Sequence, residues 1–171
     1  GTGGFVINGV SNSDGSGISV SNAGDVNGDG LADLIVGAYR DSPNGNFSGA
    51  SFVVFGKADG TVVELSDVDA GTGGFAINGV SANDGTGRVV SNAGDVNGDG
   101  FADLIVGGSG DDPNGANSGA SFVVFGGQGS SATVGTTGND TLTGDGNANQ
   151  LVAGAGNDTL VGNGGADVLR G

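Results

Sequence analysis

The chain contains two copies of one long unit. "GTGGFVINGVSNSDGSG" from Gly1 returns as "GTGGFAINGVSANDGTG" from Gly71, "SNAGDVNGDG" from Ser21 returns from Ser91, and "SGASFVVFG" from Ser48 returns from Ser118. The offset is 70 residues each time. A duplicated unit folds the same way twice, so one supersecondary motif governs the first two-thirds of the molecule. Each unit holds apolar runs bounded by turn residues, namely Gly4–Val10, Ile18–Asn22, Ala32–Ala38 and Ala50–Gly56. Four short strands per repeat predict a propeller blade; a β-sandwich made from a duplicated hairpin pair is the alternative. "DLIVG" and "ASFVVFG" are almost continuously apolar, as strands buried on both faces are.

Composition agrees with an all-β chain. Of 171 residues, 41 are glycine and only 2 are proline, without a three-residue glycine period, and glycine with abundant Asn, Asp, Ser and Thr disfavours helix. Nineteen acidic residues face four basic ones, a net charge of −15, which argues against nucleic acid or an anionic membrane as partner. There is no cysteine and no histidine. Disulfides, thiolate chemistry and the commonest general base are therefore excluded. No apolar run approaches the ~18 residues of a membrane-spanning helix. A chain that starts at Gly1 and lacks methionine is expected to be a processed or partial piece of something longer.

The strongest chemical signal is the loop Asp25-x-Asn27-x-Asp29-Gly30-Leu31-x-Asp33, repeated from Asp95. Oxygen-bearing side chains fall at positions 1, 3, 5 and 9 around a glycine at position 6, the beginning of an EF-hand pattern. The bidentate Glu of an EF-hand is missing, since position 12 is Val36 or Val106, and the flanks are strand-like. Three carboxylates in one turn repel unless a cation sits among them, and an irregular all-oxygen cage suits calcium better than magnesium. "AGDVNGDGLADLIVGA" followed by "SGASFVVFG" resembles the FG-GAP repeat, the blade unit of integrin α-chain propellers and of many bacterial surface proteins, over residues 1–126. That resemblance implies calcium held by the side chains of Asp25, Asn27, Asp29 and Asp33 with the carbonyl of Leu31. A second site would use Asp95, Asn97, Asp99 and Asp103 with the carbonyl of Phe101.

From Gly135 the period changes to nine: "GTTGNDTLT", "GDGNANQLV", "AGAGNDTLV", "GNGGADVLR", with Leu142, Leu151, Leu160 and Leu169 in register. A linker has no reason to keep such a ladder. The tail resembles the RTX nonapeptide, whose turns bind calcium and whose short strands form a parallel β-roll. By that resemblance, Asp140 and Asp158 share one ion with carbonyls of Thr136, Gly138, Ala153 and Ala155. Asn149 and Asp167 share another with carbonyls of Asp145, Asn147, Gly162 and Gly164. The expected layout is residues 1–126 as two four-stranded antiparallel blades, 127–134 as linker and 135–171 as a short roll.

These resemblances imply a calcium-stabilised adhesive or structural protein, extracellular and exported by bacterial type I secretion, which folds when it meets calcium outside the cell. Carboxylates outside the loops, such as Asp14, Glu64 and Asp84, make a poor basis for a hydrolase, so no catalysis is expected. A calcium-dependent glycan-binding module is one alternative, although Tyr39 is the only Trp or Tyr available for stacking on a sugar; a non-catalytic part of a larger secreted enzyme is the other. Partners are calcium, a glycan or cell-surface ligand, and other copies or other parts of a parent chain. Blade order Ile18–Asn22, Ala32–Ala38, Ala50–Gly56, Gly74–Val80 leaves the second blade without a fourth strand. Gly4–Val10 is expected to pair with the Ala120–Gly126 strand of a different blade, either in another copy of this chain or in an unseen part of the same one.

Overall fold

A computed structural model describes residues 3–127, 132–134, 136–144, 150–153, 155–164 and 168–170. The first repeat contributes β1 (Ile7–Asn8), β2 (Ser19–Gly24), β3 (Asp33–Ala38), β4 (Ala50–Val54), β5 (Val63–Glu64) and a five-residue helix α1 (Leu65–Asp69), and the second opens with β6 (Gly74–Asn78). Strands β7 (Thr86–Gly94), β8 (Asp103–Gly108) and β9 (Ala120–Val124) belong to the second. Five three-residue strands follow: β10 (Ala132–Val134), β11 (Thr141–Thr143), β12 (Gln150–Val152), β13 (Thr159–Val161) and β14 (Val168–Arg170).

The first sheet is antiparallel in the order β2-β3-β4-β6, so its fourth strand is drawn from across the repeat boundary as the sequence predicts. Register puts Val20, Val36, Phe52 and Ala76 on one face and Ser21, Ile35, Val53 and Phe75 on the other. Both faces are covered, which is why the central strands carry no polar alternation. The second sheet, β7-β8-β9, has three strands.

Two apolar cores follow from the two faces. Ala23, Val26, Ile35 and Val53 of the first repeat pack against Val90, Leu104 and Val106 of the second. Backbones touch at this seam: a Cβ on Gly37 would lie 1.9 Å from the Gly87 carbonyl oxygen. On the opposite face Val36, Phe52 and Val54 are covered by Leu65 and Val68 of α1, with Phe5, Ile7 and Val10 beside them. Each such side chain buried is worth roughly 1.5–3 kcal/mol.

That second core also holds the N-terminal segment within the chain. Gly4–Val10 does not form a long strand along Ala120–Gly126; only Ile7–Asn8 is extended into a pair, and it runs parallel to Val63–Glu64. The Asn8 amide donates to Glu64 Oε1 at 2.8 Å. Phe5, Ile7 and Val10 gain apolar cover on the first sheet, which an edge pairing with the second would not provide.

The tail forms two parallel stacks, β10-β12-β14 and β11-β13. Partners are 18 residues apart, as in Leu142↔Leu160 and Leu151↔Leu169, so successive nonapeptides alternate between the stacks. Ala132–Val134, inside the stretch expected to be linker, pairs with Gln150–Val152. The stack therefore starts before Gly135.

Candidate metal sites

Each acidic loop lies between the first two strands of its sheet. A bulge at Asn22/Gly24 ends the regular pairing, and the Asn22 side chain accepts from Gly24 N at 2.7 Å. Gly28 and Gly30 take φ of +81° and +84°, the left-handed conformation for which glycine carries no Cβ penalty. The chain thereby curls its amides inward around Asp25. Asp25 Oδ1 accepts from Gly28 N and Asp29 N at 2.7 and 3.1 Å, and Oδ2 from Gly30 N at 3.0 Å. Asn27 Oδ1 accepts from Asp29 N, while its amide donates to Asp29 Oδ2 at 3.0 Å. Asp29 Oδ1 takes Leu31 N at 2.8 Å. The second loop repeats every one of these bonds around Asp95, Asn97 and Asp99.

Asp33 and Asp103 do something the ligand spacing alone did not reveal. Both are fully buried. Asp33 Oδ2 accepts from Val26 N and Oδ1 from Gly56 N, each at 2.8 Å; Asp103 holds Val96 N and Gly126 N at 2.7 and 2.9 Å. Each carboxylate ties its acidic loop to the end of the third strand. Burial pushes the Asp33 proton affinity up, the two backbone bonds offset part of that rise, and the charges of Asp29 and Asp25 raise it further. Asp33 thus feels the charge of the other two loop carboxylates.

Among the described residues no three acidic side chains stand close enough to make a ready cage, because each is turned onto N–H groups. The donor chemistry nevertheless fits a hard cation. Asp25, Asn27, Asp29, Asp33 and the Leu31 carbonyl are all oxygen donors, and a carboxylate oxygen that accepts one N–H keeps lone-pair capacity for a metal.

In the tail, the two aspartates expected to share an ion are brought together. Asp140 N donates to Asp158 Oδ1 at 2.9 Å, and Thr159 N donates to the Asp140 carbonyl at 2.8 Å. Asp140 Oδ2 accepts from Thr136 N and Thr136 Oγ1 at 2.7 and 3.0 Å. Gly156, at φ +142°, passes so close beneath Gly138 that a Cβ would lie 2.3 Å from its carbonyl oxygen. Ala153 is buried and Ala155 exposed. Of the second expected tail site, Gly162 is half-buried and Gly164 exposed, whereas Asp145, Asn147, Asn149 and Asp167 lie outside the described residues. Of the carboxylates elsewhere, Asp84 accepts from Ser81 N and Glu64 from Asn8, while the buried Asp14 Oδ2 has no hydrogen-bond partner among the described residues.

Residues 16–54 and 86–124 match the FG-GAP repeat, and residues 134–169 match four copies of the RTX calcium-binding nonapeptide repeat. The chain carries FG-GAP repeats followed by RTX repeats. No curated protein matches it significantly. Each FG-GAP match spans the first three strands of a sheet with its acidic loop, and the RTX match spans nearly the whole parallel stack. Calcium is the cofactor of the RTX repeats. Both repeat types are typical of extracellular, non-catalytic segments, and among the described residues no helix is long and apolar enough to cross a membrane.

Proposed function

We propose that this chain is a calcium-stabilised adhesive or structural segment of a secreted or surface protein, exported before it folds and organised by calcium outside the cell. The observation that carries this is the pair of acidic loops that share one hydrogen-bond pattern. In each, Asp25, Asn27, Asp29 and Asp33, or Asp95, Asn97, Asp99 and Asp103, together with the carbonyl of Leu31 or Phe101, supply oxygen donors to one ion. A divalent ion takes each loop from −3 to −1. In the tail, Asp140 and Asp158 with the carbonyls of Thr136, Gly138, Ala153 and Ala155 hold a further ion. Where calcium is scarce, the same carboxylates repel and keep the chain loose enough for type I export; at extracellular calcium, binding and folding proceed together. The outer edge of Ala120–Val124, unpaired among the described residues, invites completion by another copy or another part of a parent chain.

Thermal melts with calcium and with a chelator test the reading. A site saturated at 100 times its dissociation constant adds ~2.7 kcal/mol, so chelation should lower the midpoint and melt the tail first. Identical curves would overturn it.

A glycan-binding role is the second reading, and one feature favours it. Arg40 and Arg88 both lie over the Tyr39 ring, 5.0 and 5.3 Å from its centroid, beside a cleft of about 520 Å³ that also includes Phe47 and Asn83. In so acidic a chain, two arginines on one aromatic ring suit an anionic sugar. A glycan array in calcium buffer, with Tyr39→Ala as control, decides it.

A further inference from the structure

The two repeats share most of their sequence, so the positions where they differ mark what one does and the other does not. Those positions converge on the cleft of about 520 Å³ to which both repeats contribute. Every residue lining it except Gly85 stands where the repeats differ. Tyr39, Arg40 and Phe47 of the first repeat have Ser109, Gly110 and Asn117 as counterparts, and Arg88 of the second answers to Ile18. The backbone does not change with them. Arg40 N donates to the Asp14 carbonyl at 3.1 Å and Gly110 N to the Asp84 carbonyl at 2.9 Å; Phe47 and Asn117 share a φ of +54°. The cleft is made by side chains set on a repeated frame.

Those side chains are not placed there by folding alone. A left-handed φ suits Asn and penalises a bulky residue, yet Phe47 adopts it with 45% of the residue exposed. An exposed ring in a strained conformation adds little to a core, and such strain gathers at binding sites. The Phe47 carbonyl accepts from Gly85 N at 3.1 Å, which ties this loop to the second repeat at the cleft. The cations are equally uncompensated. Arg40 and Arg88 are exposed, both face the Tyr39 ring, and among the described residues neither makes an ion pair. The chain has 19 acidic residues and four basic ones. Two of those four cations nevertheless stand together without an acidic partner.

The donor set narrows the ligand. A carboxylate offers two oxygens, and one guanidinium fork satisfies both. A sulfate or phosphate ester keeps three free oxygens, enough for two forks at once. Tyr39 gives its ring to the guanidiniums, which leaves the exposed Phe47 ring for the C–H face of the sugar that carries the ester. Calcium has no part in this contact, because the acidic loop precedes β3 whereas Arg40 and Phe47 follow it, at the other end of the sheet.

We propose that Arg40, Arg88 and Phe47 form a subsite for a sugar bearing a sulfate or phosphate ester, bound without a bridging calcium ion. The inference rests on the glycan-binding reading and names its ligand. Tyr39 is the positioning residue, holding both guanidiniums at the cleft.

Biolayer interferometry of the full chain tests it in calcium buffer at about 0.15 M ionic strength, where the repulsion of the remaining carboxylates is screened beyond ~8 Å. The probes are dextran sulfate, dextran phosphate, plain dextran, polygalacturonate and polyvinyl sulfate. The variants Arg40→Gly, Arg88→Ile and Phe47→Asn each install the residue that the other repeat carries at that point, so the fold is kept. Wild type should hold an esterified dextran above plain dextran and polygalacturonate, and the tighter of the two esters identifies the source. Each arginine variant should weaken that binding about tenfold or more. Phe47→Asn should weaken it while raising the melting midpoint, since Asn accepts the left-handed φ; a merely structural Phe47 would move the melt alone. Plain dextran or polygalacturonate bound as tightly, or arginine variants that bind like wild type, would overturn the subsite and leave the glycan reading standing. Polyvinyl sulfate bound as tightly as dextran sulfate, with no effect of Phe47→Asn, would remove the sugar and overturn both. Failure to bind either ester would overturn the subsite alone, because the glycan array tests the wider reading independently.

Discussion

Gly37→Ala and Gly107→Ala place the same methyl group at equivalent points of the two repeats. Neither glycine has a positive φ, so the methyl's neighbours decide the outcome. At Gly37 the new carbon would lie 1.9 Å from the Gly87 carbonyl oxygen and 3.0 Å from its carbon. Close C···O contacts sit near 3.3 Å, so the second sheet must withdraw by more than ~1 Å. The obstacle is backbone and cannot rotate away. Overpacking typically costs ~1–3 kcal/mol; the lost freedom of the unfolded chain returns ~0.4–1 kcal/mol. We expect a net loss of about 2 kcal/mol, or ~4–8 °C for a chain of this size. At Gly107 the nearest atom would be the Val89 carbonyl oxygen at 3.7 Å, an ordinary contact, so only the entropic gain of ~0.4–1 kcal/mol remains. Tyr39, which carries Arg88 of the second repeat over its ring, reports the seam by near-ultraviolet circular dichroism. Melts at low protein concentration in calcium should move in opposite directions for the two variants. Equal shifts would refute the packing assigned to the seam.

Asp33→Ala should be costly even in chelator, because Val26 N and Gly56 N lose their acceptor; at ~1–3 kcal/mol for each orphaned donor, about 2–6 kcal/mol is expected, against a small effect of Asp29→Ala in the same buffer. Chelator melts of both variants check this, and similar losses would contradict the tie between loop and third strand. Asp41 has its proton affinity raised by burial first, with Asp14 and Asp69 adding to the rise and the Ser42 N–H opposing it. A raised acid destabilises the fold above its folded pKa, and the penalty vanishes below the ordinary value of 3.8. Asp41→Asn should therefore raise the midpoint at neutral pH and lose that advantage as the pH falls below 3.8; an advantage independent of pH would exclude the carboxylate as its cause.

The parts of the fold written in local pattern were legible. Periods of 70 and nine located the strands, and their order across the repeat boundary followed from the apolar runs. Features that depend on distant partners were not. The short helix at Leu65–Asp69 is signalled only by Leu65 and Val68, too brief a period to separate from a loop. Ile7–Asn8 chose Val63–Glu64 because Phe5, Ile7 and Val10 reach an apolar face assembled from three strands. Spacing identified Asp33 as an oxygen donor, but its hold on Gly56 spans 23 residues and leaves no local trace. Likewise, Ala132–Val134 became a strand by pairing with Gln150–Val152, although it lies before the first nonapeptide.

The central claim is that the twin acidic loops are calcium sites, and counting bound ions tests it most directly. Calorimetric titration of the double variant Asp29→Ala/Asp99→Ala should find two fewer calcium ions per chain than wild type, while Asp41→Ala, altered in a turn of similar composition, should bind the wild-type number. An unchanged count in the double variant, or an ion lost with Asp41, would contradict the account.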